Sequence, residues 1–360
     1  MNKVLFVGAH RFDRSPSQRY RFEQYFEYLE SQGVQCDLAF IINEKEDKRF
    51  YKKGGAMFKL FFFVKAFFLR LKQAIQSRKY DVVFVQREAF MIGTTFFERL
   101  FKIFSGKLIF DFDDAIWLPN VSDGNKALNF LKDPKKTEKL IRMSDMVFAG
   151  NQYLKDYANQ FSDNVKIVPT TIDTNWYKPA EKSNEQICIG WTGSSTTIQH
   201  LETLLPVLNR IKSKYGDKLR FKVIGDPNYV NQELDIQGIP WRSGSEVTDL
   251  QDIHIGIMPL PDNQWTQGKC ACKGLQYMAA GIATIMSPVG VNKDVINSGE
   301  NGFLASSDEE WFDRLSELID DQLLRENMGA KGRLTVEESF SVESTKHLYL
   351  KYINELIEKK

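Results

Sequence analysis

The sequence predicts an α/β protein with two doubly wound parallel sheets that follow each other along the chain. Short apolar runs alternate with helix-compatible segments almost from end to end. This alternation pauses once, at the charged, proline-containing stretch 178–186, and then restarts, which indicates a domain boundary. The length of 360 residues agrees with two domains, because it exceeds what one hydrophobic core usually organises.

The first half contains six predicted strands. They cover residues 3–9, 36–42, 80–86, 107–112, 146–150 and 165–169, and residues 19–31, 93–104 and 151–161 are predicted helices. Because these runs are apolar on both faces, they suit parallel strands with helices on both sides of the sheet. The first half is therefore predicted to form one doubly wound sheet.

The second half repeats the pattern. Its predicted strands cover residues 187–193, 219–225, 239–244, 253–259, 283–288 and 302–306, and residues 307–360 are predicted to be helical. We therefore expect an N-terminal domain over residues 1–178, a C-terminal domain over 179–340, and a last helix over 341–360 that packs back toward the N-terminal domain. Ligands of such sheets bind at the carboxyl ends of the strands, so motifs that follow strands are the candidate sites.

Charge is distributed unevenly. Residues 1–110 contain 20 Lys and Arg against 11 Asp and Glu, which leaves 28 against 36 for residues 111–360. This favours a front third that meets an anion, such as a phosphate-bearing acceptor or a membrane surface, and the alternative is a run of solvated charges. Nucleic acid is not expected as a partner, because no basic-aromatic platform and no zinc module are evident. Four unevenly spaced cysteines and the absence of a recognisable signal peptide predict a cytoplasmic protein.

The segment 56–76 is predicted to be an amphipathic helix. Its apolar stretch is interrupted by Lys59, Lys65 and Arg70, so it is too charged to span a bilayer. One face combines six apolar residues: Leu60, Val64, Phe67, Phe68, Leu71 and Ile75. Two interpretations stay open at this stage. The face packs on the core of the α/β domain, or it lies in an anionic membrane interface.

The first candidate motif, GWTGSSTTIQH over residues 190–200, runs from a strand through a turn of small residues into a helix. The candidate N-cap residues of that helix are Ser195, Thr196 and Thr197. Gly193 permits close approach of the backbone, and the N–H groups of residues 194–197 suit a diphosphate. The alternative is an ordinary connection between a strand and a helix.

The second motif, WTQGKCACKGLQYMAAG over residues 265–281, places two lysines before a helix predicted over residues 273–280. Lys269 and Lys273 therefore converge on whatever binds there, and a departing diphosphate suits them. We interpret Cys270 and Cys272 as small packing residues rather than metal ligands.

The third motif, DFDDAIW over residues 111–117, follows a buried strand. Asp111, Asp113 and Asp114 suit a divalent metal, a general base or the capping of a loop. Because carboxylates this close rarely all ionise freely, we expect one of them to have a raised pKa.

A basic segment over residues 11–29 joins the first strand to its helix. We expect Arg14, Ser17 and Arg19 to contact an acceptor or its phosphate. Arg21 is interpreted as either another contact or a solvated helix residue. Arg19 is the better candidate of the two, since a positive charge at a helix start opposes the helix dipole.

Together these segments resemble retaining glycosyltransferase family 4, whose GT-B fold has two Rossmann-like domains facing a cleft. The segments that carry the resemblance are VPTTIDTNWYKP (168–179) and KGLQYMAAGIATIMSPVGVNKDVINSGENGFL (273–304). The resemblance implies a nucleoside-diphosphate sugar held by the C-terminal domain and a glycan or lipid-linked acceptor held by the N-terminal domain. It also implies transfer with retained configuration, with no cofactor and no obligatory metal.

The resemblance also assigns residues. The family's pair of glutamates aligns with Gly268 and Gln276, and its N-domain histidine aligns with Asp113, so Asp113 and Asp114 are the expected catalytic residues. The segment 241–246 is expected to lie along the nucleotide base. The expected donor-binding residues are Gly193, Ser194, Ser195, Thr196, Gly225, Arg242, Glu246, Lys269, Cys270, Ala271, Lys273 and Gln276, and the acceptor-binding ones are Arg14, Ser17 and Arg19.

The predicted function is a hexosyltransferase-like enzyme that builds a cell-surface glycan or glycolipid, with a peripheral position on the inner face of the cell membrane. Three alternatives stay open. They are a nucleotide-sugar epimerase of the same fold, a non-catalytic protein that binds nucleotide sugar or supports a partner enzyme, and a metal-using transferase argued from residues 111–114 alone.

Overall fold

The computed structural model describes residues 1–51, 54–118, 133–183 and 185–358. The chain forms two compact units: unit 1 comprises Met1–Pro169 with Lys346–Lys360, and unit 2 comprises Thr170–Thr345. Residue 184 of the predicted linker and residues 359–360 of the predicted last helix lie outside the described residues. Each unit contains a parallel sheet with helices, so the predicted α/β class with two parallel sheets is confirmed.

Unit 1 is built on a six-stranded parallel sheet in the order β2-β1-β3-β4-β5-β6. The strands are β1 (Asn2–Val7), β2 (Val34–Ala39), β3 (Val82–Gln86), β4 (Leu108–Phe112), β5 (Met146–Ala149) and β6 (Val165–Ile167). The helices are α1 (Pro16–Arg21), α2 (Phe26–Ser31), α3 (Glu44–Phe50), α4 (Ala56–Gln76), α5 (Phe96–Ser105), α6 (Lys136–Met143) and α7 (Gln152–Ala158). The chain order reverses between β1 and β3, which places the ends of β1, β3 and β4 side by side.

Unit 2 is built on a five-stranded sheet in the order β13-β12-β11-β7-β8, with a separate β10-β9 hairpin. The strands are β7 (Ile187–Thr192), β8 (Leu219–Ile224), β9 (Val230–Asn231), β10 (Ile236–Gln237), β11 (Ile255–Met258), β12 (Ala283–Met286) and β13 (Phe303–Leu304). The helices are α8 (Ile198–Glu202), α9 (Leu205–Tyr215), α10 (Glu246–Gln251), α11 (Gln264–Gln267), α12 (Cys272–Ala279), α13 (Asn292–Val295), α14 (Asp308–Asp320), α15 (Gln322–Thr335) and α16 (Val342–Glu358). From Lys346 onward α16 belongs to unit 1, where the Tyr349 and Tyr25 rings stack with centroids 4.1 Å apart.

Two predicted elements are wrong in detail. The predicted strand 239–244 is absent: Ile239 makes a single bridge to Ile224, and residues 243–245 form a helical turn. Pro240 has no N–H to donate to a sheet, so pairing cannot continue through it. The predicted helix 19–31 is divided into α1 and α2 by a short turn, because Phe22 has a non-helical backbone.

Helix α4 buries a different face from the one that the apolar pattern emphasises. Phe62, Ala66, Arg70 and Ala74, four residues apart, are the buried positions. The six apolar residues of the predicted face are instead exposed, except that Leu71 is half-buried. The interpretation of that face as core-facing is therefore wrong. Among the described residues, the structure contains no helix with the length and apolar character needed to cross a membrane.

Candidate functional site

The carboxyl ends of β1, β3 and β4 bring together side chains from three separate parts of unit 1. The Ser17 hydroxyl on α1 donates to Asp113 Oδ2 at 2.8 Å, and Arg87 Nε donates to Asp113 Oδ1 at 2.7 Å. Gln86, the last residue of β3, donates from Nε2 to the Ser17 hydroxyl at 2.7 Å. The predicted residues Ser17 and Asp113 therefore meet, and Arg87 completes the cluster.

Arg87 has an unusual backbone. Its φ of 60° lies in the left-handed region, where residues other than glycine carry a conformational cost of about 1–3 kcal/mol. Its N–H donates to the carbonyl of Asp111 at 2.7 Å, and its side chain is held by Asp113. This conformation turns the side chain from the end of β3 toward the end of β4. Strained residues of this kind concentrate at functional sites.

The charges of the cluster keep Asp113 ionised. Burial alone would raise its pKa, but the guanidinium of Arg87, with smaller contributions from Arg21 and the Ser17 hydroxyl, lowers the pKa below its ordinary value. The carboxyl with a raised pKa is Asp111, which burial shifts to about 6 against the opposing charge of Arg21. Asp111 and Arg21 are both fully buried and form an ion pair, so they act as structural support.

Asp114 lies at the edge of this cluster, and the predicted Arg14 and Arg19 each pair with another carboxylate. Asp114 Oδ1 accepts from the N–H of Ala115 at 3.0 Å, and its Oδ2 lies 4.0 Å from Arg87 Nη2. Arg14 Nη2 donates to Asp47 Oδ1 at 3.1 Å, and Arg19 Nε lies 3.0 Å from Asp13 Oδ1. The two predicted acceptor arginines are therefore held by carboxylates of α3 and of the loop after β1.

In unit 2, β7 and β8 end in two glycines whose backbones touch. A Cβ atom on Gly225 would lie 1.7 Å from the carbonyl oxygen of Gly193, and one on Gly193 would lie 2.2 Å from the Trp191 ring. Gly225 also has a φ of 121°, which other residues rarely adopt. Both positions therefore require glycine. This contact sets the start of the turn 194–197.

The turn offers fewer backbone donors than predicted. The N–H of Ser194 donates to Thr197 Oγ1 at 3.0 Å, and the N–H of Thr197 donates to the Ser194 carbonyl at 2.9 Å. Both groups are therefore used within the turn, because Thr197 folds back over it. Ser194, Ser195 and Thr196 are exposed, and α8 begins after Thr197.

Lys273 approaches this turn, and Lys269 lies close enough to His200 on α8 to affect its pKa. Lys273 Nζ lies 3.4 Å from Thr197 Oγ1 and 5.2 Å from the centre of the Trp191 ring. Lys269 Nζ lies 3.6 Å from the centre of the Trp265 ring, and that ring is 5.9 Å from the ring of His200. Burial, followed by the charges of Lys273 and Lys269, lowers the pKa of His200 to about 4. The lysines thus create a positive field beside the exposed turn, with His200 neutral.

The loop before α12 is the second place where backbone strain marks the site. Ala271 caps α12 with a φ of 54°, and it is fully buried together with its neighbour Cys270. The helix begins at Cys272 and ends at Ala279, before Gly281 with a φ of 67°. Ala271 therefore has a costly conformation at the point where the loop that carries Lys269 enters α12.

Glu246 and Gln276 belong to a buried polar cluster. Gln276 Nε2 donates to Glu246 Oε1 and to the Tyr177 hydroxyl, both at 2.8 Å. Trp241 Nε1 donates to the same Glu246 oxygen at 2.9 Å. Two protein acceptors therefore use both amide hydrogens of Gln276, so a ligand contact by this residue involves its oxygen. The predicted Arg242 is exposed next to this cluster in sequence.

The structure therefore brings together Ser17 with Asp113 in unit 1. In unit 2 it joins Lys273 with the turn 194–197, and Glu246 with Gln276. Sequence reasoning missed Arg87, Tyr177 and Trp265. Arg87 had a signal, since it is a charged residue directly after the predicted strand 80–86, at the edge where sites form.

Comparisons with known proteins agree with this architecture. Residues 186–321 match the family model described as Glycosyl transferases group 1, which falls within unit 2. No curated protein matches the chain in sequence. Solved structures do match it in fold. Sucrose-phosphate synthase from Thermosynechococcus elongatus has a TM-score of 0.76 at 11% identity, with 100% of each chain covered.

Two further solved structures have the same fold. HepE from Anabaena, solved in complex with UDP and glucose, has a TM-score of 0.65 at 12% identity, covering 99% of this chain and 100% of its own. The lipopolysaccharide outer core galactosyltransferase WaaB has a TM-score of 0.64 at 13% identity, covering 98% of this chain and 99% of its own. The predicted GT-B fold of two parallel-sheet α/β domains is thus confirmed. Together the fold and the Glycosyl transferases group 1 match over residues 186–321 support a glycosyltransferase of the GT-B fold.

Proposed function

We propose that this protein is a retaining glycosyltransferase that moves a sugar from a nucleoside-diphosphate donor to a hydroxyl of a cell-surface glycan or glycolipid. The observation that carries the proposal is the approach of Lys273 to the exposed turn 194–197, within the segment that matches the family model. Negative charge grows on the leaving diphosphate in the transition state, and two ammonium groups beside exposed peptide groups stabilise that charge.

Unit 2 holds the donor in this proposal. Lys269 and Lys273 neutralise the diphosphate, Ser194 contributes its hydroxyl, and Ser195 and Thr196 contribute hydroxyl and backbone donors. The two glycines let the chain after β7 pack directly against the chain after β8 and the Trp191 ring, and this packing fixes where the turn 194–197 begins. The two relatives solved with UDP or named as a galactosyltransferase support a sugar-nucleotide donor. No resident metal or cofactor is part of the proposal.

Unit 1 holds the acceptor and supplies the carboxylates. The bond from the anomeric carbon to the diphosphate breaks, the bond to the acceptor oxygen forms on the same face, and the acceptor proton passes to the diphosphate. The sugar is positively charged between these events, and the ionised Asp113 stabilises that charge. Arg87 and Ser17 orient Asp113 through its two oxygens.

The enzyme is proposed to work in the cytoplasm, at the inner face of the cell membrane. The exposed apolar face of α4 supports a position at the membrane, because proteins rarely expose a large apolar surface unless it binds a partner or a membrane.

The test is product analysis with the full chain. UDP-, GDP- and dTDP-sugars are first compared by thermal shift, because a ligand that binds only the folded protein raises its Tm. The stabilising donor is then incubated with and without a panel of oligosaccharide and glycolipid acceptors. Nucleoside diphosphate that forms only with an acceptor, and a product with the donor's anomeric configuration by NMR, supports the proposal.

Other outcomes overturn it. A donor isomerised without acceptor identifies an epimerase, and a donor that binds without any turnover identifies a non-catalytic protein. A product whose anomeric configuration is inverted overturns only the retaining mechanism and leaves the transferase. Lys273→Ala is expected to weaken donor binding. Lys293→Ala is its matched control, since Lys293 is an exposed lysine of the same unit.

A further inference from the structure

Helix α4 is apolar on two opposite sides. One side, with Phe62 and Ala66, is buried in the core of unit 1. The opposite side consists of residues that are between 42% and 68% exposed: Met57, Leu60, Phe61, Val64, Phe68 and Ile75. Helical spacing of three and four residues places these side chains in one row along the outer surface. A helix that only covers a sheet would carry polar residues on this row.

The exposed apolar surface continues onto α5. The rings of Phe67 on α4 and Phe96 on α5 stack with centroids 6.0 Å apart and planes 6° apart. Phe96, Ile103 and Phe104 are exposed by 42%, 71% and 37%. We call the apolar row of α4 together with these α5 residues the two-helix surface. Exposed apolar areas that span two elements mark interaction sites in soluble proteins.

The charged side chains that are exposed on α4 and α5 are all basic. Helix α4 contains three lysines and one arginine and no aspartate or glutamate, and the arginine, Arg70, is fully buried. The single acidic residue of α5, Glu98, is fully buried. Lys72 and Arg99 are exposed on the two helices, and Lys59 is half-buried. An apolar row with basic flanks and no acidic residue is complementary to anionic lipid, whose headgroups attract the cations while the acyl chains accept the apolar side chains.

Helix α3 contacts both α4 and the loop that carries the predicted acceptor residues. Toward α4, Glu46 accepts from Lys65 Nζ at 2.5 Å, and the Phe50 and Phe62 rings are 4.7 Å apart. Toward the loop, Asp47 pairs with Arg11 at 3.0 Å and also binds Arg14. The same short helix therefore holds both the N-terminal half of α4 and the loop after β1.

We propose that the two-helix surface docks on an anionic lipid bilayer, and that the acceptor is lipid-linked and presented to the loop after β1 from that bilayer. The second clause rests on the proposed function. Docking places α4 flat in the interface, with the sheet of unit 1 above it. A lipid-linked acceptor then remains in the bilayer while its headgroup reaches the residues that α3 positions.

The experiment is co-sedimentation of the full chain with vesicles of phosphatidylcholine, with and without phosphatidylglycerol. We expect binding to the anionic vesicles that weakens with added salt. Phe61→Asp combined with Phe68→Asp, and separately Ile103→Asp, are each expected to weaken binding by at least about tenfold, since each removes apolar area and adds a repelled charge. Leu323→Asp is the matched control, because Leu323 is 72% exposed on α15 of unit 2, against 71% for Ile103.

Three outcomes overturn the docking surface: no binding to anionic vesicles, equal binding to neutral ones, or unchanged binding of the aspartate variants. A mass that doubles with concentration in sedimentation velocity, and returns to one chain in the variants, identifies a second copy as the occupant instead. The donor-induced rise in Tm is measured for every variant. If it persists while vesicle binding is lost, the surface is separate from the donor site. If vesicles bind but no lipid-linked acceptor is glycosylated, only the second clause fails.

Discussion

Replacing Asp113 with asparagine tests the catalytic role proposed for unit 1. The wild-type carboxylate accepts from Arg87 Nε at 2.7 Å and from the Ser17 hydroxyl at 2.8 Å. Asparagine has the same shape but one acceptor oxygen, so its amide nitrogen must face one of these two donors. The charge-assisted bond to Arg87 contributes about 1.5–3 kcal/mol, and removing one stabiliser of transition-state charge typically costs about 2.7–4 kcal/mol.

We therefore expect Asp113→Asn to lower kcat by about 10²–10³. The assay is release of nucleoside diphosphate in the presence of acceptor. Donor binding, measured as the rise in Tm, should be unchanged, because the donor residues lie in unit 2. Asp156→Asn, an exposed carboxylate on α7, is the control and should retain full activity. Turnover of Asp113→Asn within a factor of about two of the wild type would refute the reasoning.

Three further predictions concern Arg87 in unit 1 and Lys273 and Gly225 in unit 2. Arg87→Gln removes the charge that lowers the pKa of Asp113, while the burial of Asp113 remains, so the acidic limb of the pH profile of kcat/KM should move to higher pH. Arg87→Lys keeps the positive charge and should leave this limb at low pH. An acidic limb that does not move in Arg87→Gln would contradict the account. Lys273→Ala should weaken donor binding, measured by calorimetry, about 10–100-fold, because a charge-assisted contact that contributes about 1.5–3 kcal/mol of binding free energy is lost. An equal loss of affinity in Lys293→Ala would argue against a specific site. Gly225→Ala should lower the Tm by at least about 4 °C, because the added Cβ would lie 1.7 Å from the Gly193 carbonyl oxygen. Gly244→Ala is the control and should leave the Tm nearly unchanged, because its added Cβ would meet no atom within 4 Å.

The order of strands and helices could be read from the sequence because it depends on local patterns. Runs such as 80–86 and 107–112 are apolar throughout, and this is what burial on both faces of a parallel sheet requires. Prediction failed for residues 239–244, where an apolar start is followed by Pro240 and a polar turn. It was also ambiguous for α4, since a helix that is apolar on two sides does not reveal which side is buried.

The side-chain pairs of the candidate site were less accessible to prediction. Lysines, glycines and carboxylates that follow strands could be placed at the carboxyl-end edge of each sheet from their position in the sequence alone. Arg14 and Arg19, however, are held by Asp47 and Asp13, and Asp47 belongs to a helix about 30 residues away along the chain. Arg87 reaches Asp113 because its backbone is left-handed, and the residue types around position 87 do not predict that conformation. Such pairs depend on tertiary contacts rather than on local sequence.

The most direct test of the central claim is a crystal structure of the protein with the nucleoside diphosphate of its stabilising donor. We expect the diphosphate in unit 2, with phosphate oxygens within about 3.2 Å of Lys273 Nζ and of donors in the turn 194–197. A diphosphate bound at any other place, without contact to Lys273 or to the turn 194–197, would contradict the account.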